Sequence, residues 1–322
     1  MSIAVSFIIP HKGREAMLID TLSSICEQDF SEGGIEVIVV SQNQSISSTL
    51  EAFKERLQLT VIFNQDRNTI SHSRNLGAQA ASGEFLAFLD ADIHLANNWT
   101  QTALSILQGN NEIALVSAMQ INSKEAPPLE RIRTALSNAE LDTNVDFLPG
   151  RNLFLRKQTF HSVNGFPEHL MTCEDYYFTD SVSNLGYLYY TSQTHYVHIG
   201  EDKAFIPMFK KEIWRGQSNI ASIQGRRIGL REWPSFIVPF IITFGFIFTI
   251  SSLVTLPTNL SMLLGLVTTL PLAAYTFRLK KLTGKDVSIL HCLWFYTLYF
   301  PARTIGTLLG VRGAVSTSSH KN

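Results

Sequence analysis

Residues 233–277 contain no charged side chain. That run of 45 residues is long enough for two bilayer crossings at ~20 residues each. A soluble helix of such length carries a polar face, and this run has none. Pro257-Thr258-Asn259 is a turn signal that divides it into apolar stretches at 234–256 and 260–277. Cations flank both outer ends: seven Lys/Arg against two Glu in 203–232, and Arg278, Lys280, Lys281 and Lys285 beyond. The connector has none, so the positive-inside rule predicts a transmembrane hairpin with both ends in the cytoplasm and the connector outside. Its approach, 206–232, reads as a basic amphipathic interfacial linker, with Lys210, Lys211, Trp214 and Arg215 resting on anionic headgroups. A third apolar segment, 287–311, contains His291, Pro301 and Arg303. Arg303 near its middle disfavours a simple span, so an interfacial or re-entrant course is expected. The tail, 312–322, is small and polar and expected to be disordered.

The start of the chain, Met1 to Phe7, lacks a basic region and a long apolar run, so no signal peptide is expected there. The expected location is the inner (cytoplasmic) membrane, multi-pass, with the amino-terminal domain in the cytoplasm. Cys26, Cys173 and Cys292 share no metal spacing and read as packed thiols. A net charge of −1 gives no electrostatic case for nucleic acid.

Residues 1–205 read as one α/β domain. Apolar runs at 5–10, 35–40, 59–63, 85–89 and 113–119 alternate with helical spacings at 14–28, 47–57, 70–81 and 99–108. Such alternation predicts a doubly wound, mainly parallel sheet with its ligand crevice at the carboxyl ends of the strands. No Gly-x-Gly-x-x-Gly or Walker sequence is present, so the usual dinucleotide and ATP cradles are unsupported. Short strands are expected at 188–190 and 196–198, and a helix beginning at Glu174-Asp175.

Asp90-Ala91-Asp92 closes the apolar run Phe85-Leu86-Ala87-Phe88-Leu89. Two carboxylates at a strand exit repel unless a cation intervenes. The triplet is therefore a candidate site for a hard divalent ion that keeps positions open for phosphate oxygens.

The ordered set of segments resembles the family 2 glycosyltransferases of GT-A fold. The matching pieces are Phe7-Ile8-Ile9-Pro10, Ser73-Arg74-Asn75-Leu76-Gly77, the stretch from Gly83 to Asp92, Gly150-Arg151-Asn152-Leu153-Phe154-Leu155-Arg156, Gly165-Phe166-Pro167-Glu168, Glu174-Asp175, Gly186-Tyr187 and His198. The resemblance covers about residues 4–200. It implies a metal-dependent, inverting transfer of a sugar from a nucleoside diphosphate to a hydroxyl. The implied metal is Mn2+ or Mg2+ on Asp90 and Asp92, with Asp92 the direct ligand. His198 supplies a third ligand or a diphosphate contact, or is a strand histidine bonded to backbone; His195 is the reserve. The implied nucleotide contacts are Pro10, Arg14, Gln42, Arg74, Asn75, Asp90 and Asn152. Asp175 is the implied general base, with Glu174 raising its pKa or binding an acceptor hydroxyl.

Each role has a structural rival. An acidic pair also decorates helix amino ends, and a buried arginine also pairs with acids for stability. Two departures stand out. Where the family carries an Asp-rich turn after the second strand, this chain reads Ser41-Gln42-Asn43, so any contact to the base comes from a neutral side chain. After Glu174-Asp175 come Tyr176-Tyr177-Phe178, and the next acid is Asp180. The Gln-x-x-Arg-Trp signature of processive enzymes is missing; its nearest echo is Glu212-Ile213-Trp214-Arg215. One sugar per encounter is expected, onto a glycan or lipid-linked acceptor for a surface polysaccharide. The rivals are a non-catalytic sugar-nucleotide-binding scaffold and an Asp-x-Asp phosphoryl or nucleotidyl transferase.

Overall fold

The computed structural model describes residues 2–65, 69–223, 229 and 232–318, with side chains in the last helix described to Val311. The chain divides into two compact units, Met1–Ser123 with Glu140–Gly200, and Lys124–Ala139 with Glu201–Asn322.

The first unit is a sheet flanked by helices, in chain order β1 (Ile3–His11), α1 (Glu15–Cys26), β2 (Gly34–Ser41), α2 (Ser48–Glu51), β3 (Gln58–Phe63), α3 (Ile70–Ala80), β4 (Phe85–Leu89), β5 (Ile93–Leu95), α4 (Trp99–Gly109) and β6 (Ile113–Ile121). The second unit takes α5 (Pro128–Ser137); the sheet then resumes with β7 (Thr143–Val145), β8 (Asn152–Arg156), α6 (Lys157–Ser162), α7 (Glu174–Ser183) and β9 (Tyr187–His198). Among the described residues the nine strands form one sheet ordered β3-β2-β1-β4-β8-β6-β9-β5, with β7 on β9. Neighbours from β3 to β4 are parallel. Strand β8 then enters antiparallel between β4 and β6, pairing Leu89 with Asn152. The sheet is therefore mixed: the β3-β2-β1-β4 half is parallel, and β6 and β9 run parallel to each other beyond β8.

The apolar runs become strands because both faces are covered. Phe7, Ile9, Val37, Val39 and Ala87 face one cluster with Leu18, Leu22 and Trp99; Ile8, Ile38, Val40, Leu86 and Phe88 face the other. Such two-sided burial reads in sequence as a continuous apolar run. Gly77 lets α3 lie close on β1, since a Cβ there would sit 2.6 Å from Ile8 Cγ2. The two short strands expected at 188–190 and 196–198 are one strand, β9, whose pairing with β6 jumps from Thr191 to His195. The irregularity ends a pairing run, which is why the sequence pattern breaks there.

The second unit holds α5, α8 (Phe205–Gly216), α9 (Trp233–Thr255), α10 (Thr258–Thr283) and α11 (Ile289–Ser318). Helices α9 and α10 are long and apolar enough to cross a membrane, with mean hydropathies of 2.3 and 1.6. Helix α10 continues past the apolar run through Arg278, Lys280 and Lys281 and stops at Gly284, whose φ of 56° breaks the helix. From Ile289 the third segment is one continuous helix that runs on to Ser318, through part of the tail expected to be disordered; 319–322 lie outside the described residues. Helix α5 groups with these helices and not with the sheet, because Leu129 and Ile132 are buried with Met208, Leu279 and Phe295. Of the basic linker, Arg226, Arg227 and Arg231 lie outside the described residues. Lys211 and Arg215 are held by Asp202 and Glu212 in ion pairs, which leaves exposed Lys210 and half-exposed Trp214 as the outward groups of the expected headgroup contact.

Candidate active site

The chain turns at the carboxyl end of β4 and places Asp90 and Asp92 on different partners. Asp92 is nearly buried. Its Oδ1 lies 3.3 Å from His198 Nε2, and its Oδ2 lies 3.3 Å from Arg14 Nη2. The pairing of β5 with β9 sets Ile93 opposite His198, which is how residues a hundred positions apart become neighbours. The amide of Ile199 donates to the Asp92 carbonyl at 2.8 Å. Gly200 packs so closely on the Asp92 carboxylate that a side chain there would collide with it.

Asp90 turns the other way, onto Arg74. This guanidinium is 1% exposed. It donates from Nη1 to Glu174 Oε1 at 2.9 Å, and from Nη2 to Asp90 Oδ1 at 3.0 Å and to the Gly150 carbonyl at 3.1 Å. Its Cζ lies 4.9 Å from the centre of the Phe166 ring. Burial works against its charge, but Asp90, Glu174 and Asp175 outweigh burial and raise its pKa. Glu174 responds oppositely. Burial and then the charge of Asp175 push its carboxyl up to about 7, against the pull of Arg74.

Asp175 is fixed by backbone amides: Gly150 N donates to its Oδ2 at 3.1 Å and Tyr176 N to its Oδ1 at 2.8 Å. Gly150 is therefore the keystone between Arg74 and Asp175. A Cβ there would lie 2.9 Å from Asp175 Cβ and 3.1 Å from Arg74 Nη2. Tyr176 stacks on Phe147 with ring centres 4.9 Å apart, so an aromatic wall adjoins Asp175. Two of the non-glycine residues with left-handed backbone, Arg14 (φ 36°) and Cys173 (φ 63°), immediately precede the helices that open onto these groups. Strain of that kind concentrates where geometry serves function.

The other expected nucleotide contacts also make bonds within the fold. The Asn75 amide clamps the Gly165-Phe166-Pro167-Glu168 loop, donating to Phe166 O and Glu168 Oε1 and accepting from Phe166 N. Asn152 is fully buried and donates to Ala118 O, which ties β8 to β6. Pro10 is paired within the sheet against Val40. Gln42 follows β2, its amide donating to His11 O at 2.8 Å, while Asn43 Oδ1 accepts from Gly13 N. His195 lies three residues before His198, beside His94 in a separate shallow hollow. The sequence reading missed the Gly150 backbone, Gly200 and His11. Buried His11 bonds Ser41 Oγ at 3.1 Å, and burial lowers its pKa, so it is neutral at pH 7. A glycine directly before the Arg-Asn strand was the available signal for the first.

Among the described residues no group of three or more His, Cys, Asp or Glu stands together as a ready metal cage. The donor set at Asp92 still fits a divalent ion. Ligands adjacent on an ion with bonds of ~2.1 Å lie about 3 Å apart, close to the Asp92–His198 separation. Two protein ligands leave the remaining positions for oxygens of a diphosphate, and the largely exposed Arg14 side chain is free to turn from Asp92 toward them.

Residues 6–164 match the family model described as Glycosyl transferase family 2. This chain is a family 2 glycosyltransferase. Membership makes it a nucleotide-sugar-dependent enzyme. It is 23% identical over 235 residues to glycosyltransferase AglE of Haloferax volcanii, covering 71% of this chain and 77% of that one. It is 24% identical over 184 residues to the poly(ribitol-phosphate) beta-N-acetylglucosaminyltransferase TarS of Staphylococcus aureus, covering 54% of this chain and 31% of that one. In fold it is similar to the mannosyltransferase PcManGT of Pyrobaculum calidifontis, solved with GDP-Man and Mn2+, at a TM-score of 0.67 and 18% identity over 96% of this chain and 88% of the other. It is also similar to residues 1–349 of S. aureus TarS with UDP-GlcNAc, at 0.52 and 16%, over 94% and 91%. The family's GT-A fold thus extends over the glycosyltransferase unit of this chain.

Proposed function

We propose that this glycosyltransferase moves one sugar from a nucleoside diphosphate to a hydroxyl of a glycan or lipid-linked acceptor, with inversion, on the cytoplasmic face of a membrane to which α9 and α10 anchor it. The observation that carries the reading is the pair of groupings at one strand end: Asp92 with His198 and Arg14, and Asp175 with Glu174, Arg74 and Asp90.

The two groupings divide the work. Asp92 and His198 would hold Mn2+ or Mg2+, which when bound supplies Lewis-acid neutralisation of the leaving diphosphate. Arg14 adds a mobile positive charge beside it. Asp175, held by the amides of Gly150 and Tyr176, takes the acceptor's hydroxyl proton as that oxygen attacks the anomeric carbon. The bond to the diphosphate breaks on the opposite face, and the nucleoside diphosphate leaves. A single displacement from the face opposite the leaving group inverts the anomeric centre. Proximity does much of the work, since a carboxylate is a weak base for a sugar hydroxyl. Buried Arg74 keeps Asp90, Glu174 and the Gly150 carbonyl in register, so the base does not drift from the donor side. Membrane-linked polyprenyl glycans suit the acceptor role because the hairpin brings the enzyme to the lipid surface.

The test is nucleoside diphosphate release from a panel of UDP-, GDP- and dTDP-sugars, with membrane-bound enzyme, Mn2+ and native lipid extract. Release from one donor is expected, lost on chelation and in Asp92→Asn and Asp175→Asn. Release that survives chelation or either substitution would refute these roles.

A further inference from the structure

The charged residues of the helical unit fix how deep its apolar hairpin reaches. Arg133, mostly buried, pairs with Glu212 and with Asp202 at 3.0 Å. Lys211 reaches Asp202 at 3.2 Å, and Arg215 reaches Glu212 at 2.6 Å. Arg303 of α11 donates to Asn219 Oδ1 at 2.8 Å and lies 3.7 Å from Glu212. The backbones of α8 and α11 touch at this level, where a Cβ on Gly216 would lie 3.0 Å from Gly306 Cα. The cluster is thus built into helix packing and does not hang from flexible side chains.

Its level along α9 is set by one contact. Thr304, the residue after Arg303, meets Thr243 with hydroxyls 3.1 Å apart. Below that point α11 and α10 run side by side: Cys292 lies at Thr283, and Phe300 meets Tyr275. The ionic network therefore lies beside the inner halves of α9 and α10. Beyond Thr243 lies the outer half of the hairpin. At 1.5 Å per residue, α9 from Thr243 to Thr255 is ~18 Å long. A bilayer's hydrocarbon core is ~30 Å thick, so one leaflet accounts for about 15 Å.

The outer half differs in what it buries. Within 244–270 the buried residues are Ser252, Ser261 and Thr268, small polar groups between the two arms, with Ser261 Oγ donating to Ser252 O at 2.9 Å. The apolar side chains point outward: Val254 is 90% exposed, Leu253 and Met262 71%, and Ile250, Leu263 and Leu266 more than half. An element that turns its polar groups inward and its apolar groups outward is built for acyl chains. Immersing several ionisable groups in hydrocarbon is costly even when they are paired.

We propose that the α9–α10 hairpin enters a single leaflet and turns back near the bilayer midplane at Pro257-Thr258-Asn259, with nothing exposed on the far face. The partner is the acyl region of one leaflet, and the ionic network marks its headgroup boundary. It is an alternative to the two-pass span that the length and apolarity of α9 and α10 permit, and it rests on the membrane-anchored reading above.

The experiment uses full-length Asn259→Cys protein in sealed phospholipid vesicles, with a membrane-impermeant maleimide outside or trapped within. Labelling is read at position 259 by mass spectrometry, and the exposed Glu55→Cys substitution in a parallel sample reports orientation. The thiol introduced at position 259 is expected to resist the reagent from both sides, to label fully in detergent, and to place a nitroxide near the midplane. Labelling of position 259 from the side opposite position 55 would overturn the single-leaflet insertion and leave the anchor standing. Labelling from the same side as position 55 would overturn the insertion itself. Failure of the protein to float with vesicles would overturn the anchored reading as well.

Discussion

Arg74→Met tests the centre of the candidate site, because it removes a charge from between two acids and keeps most of the stem's volume. In the native arrangement the guanidinium satisfies Glu174, Asp90 and the Gly150 carbonyl at 2.9–3.1 Å. Breaking a buried pair by deleting one partner costs about 3–5 kcal/mol. For a unit of this size that is roughly 6–20 °C in Tm. The loss depends on pH, and its sign follows from Glu174. Its folded pKa, about 7, lies above the ordinary 4.5, so native stability falls as pH rises from about 4.5 to 7 and is level above. Without Arg74 the Glu174 carboxyl titrates higher still, and the fall extends past pH 7. The gap between variant and parent should therefore widen from pH 6 to pH 9. Arg74→Met/Glu174→Gln should recover part of the loss, with a coupling of about 1–3 kcal/mol. Thermal unfolding of the full chain in detergent at pH 6, 7.5 and 9 measures all three proteins. A cost below about 1 kcal/mol, a gap independent of pH, or no recovery in the double variant would refute the view of Arg74 as the charge that holds the site together.

Glu174→Gln alone should abolish the stability change between pH 4.5 and 7 that belongs to this group, seen as a flatter pH–Tm curve. Gly150→Ala should lower kcat by at least tenfold while the protein stays folded, because its methyl displaces Asp175 and Arg74 together; circular dichroism and nucleoside diphosphate release separate the two effects. Asp175→Asn should cost 10²–10⁴-fold in kcat, the range of a general base, with nucleotide binding by calorimetry unchanged. In the helical unit, Arg133, Arg215 and Arg303 outweigh burial and hold the Glu212 carboxyl down to about 2 from an ordinary 4.5. That contributes about 3 kcal/mol above pH 4.5, lost as pH falls toward 2, so Glu212→Gln should lower Tm at pH 7 and flatten its fall between pH 4.5 and 2, read by thermal unfolding in detergent.

The local record in the sequence was good where a residue's role depends on its own neighbours in the chain. Runs such as Phe85–Leu89 became strands because they are covered on both faces, and helices began and ended within a few residues of their periodic patterns. The ordered motifs also brought Arg74, Asp90, Asp175 and Glu174 to one place. Their division of labour was not readable. Asp90 and Asp92 are two residues apart yet serve different partners, because β8 enters antiparallel beside β4 and presents Gly150 to Arg74, while β9 returns on β5 and presents His198 to Asp92. Asn75 and Asn152 read as ligand contacts; in the fold the Asn75 amide holds a loop, and the Asn152 amide nitrogen bonds a neighbouring strand while its Oδ1 is buried without a hydrogen-bond partner.

The sequence by itself determined that the chain has a glycosyltransferase α/β unit and an apolar helical hairpin, because periodicity, strand-end acids and the absence of charge over 45 residues are local properties. Tertiary structure alone decided that α5 joins the helical unit, that one buried arginine links Asp90 to Glu174, and that an ionic network lies halfway up the hairpin. Each depends on which distant segments pair, and pairing is set by the global minimum of packing and charge burial that no single stretch of sequence encodes.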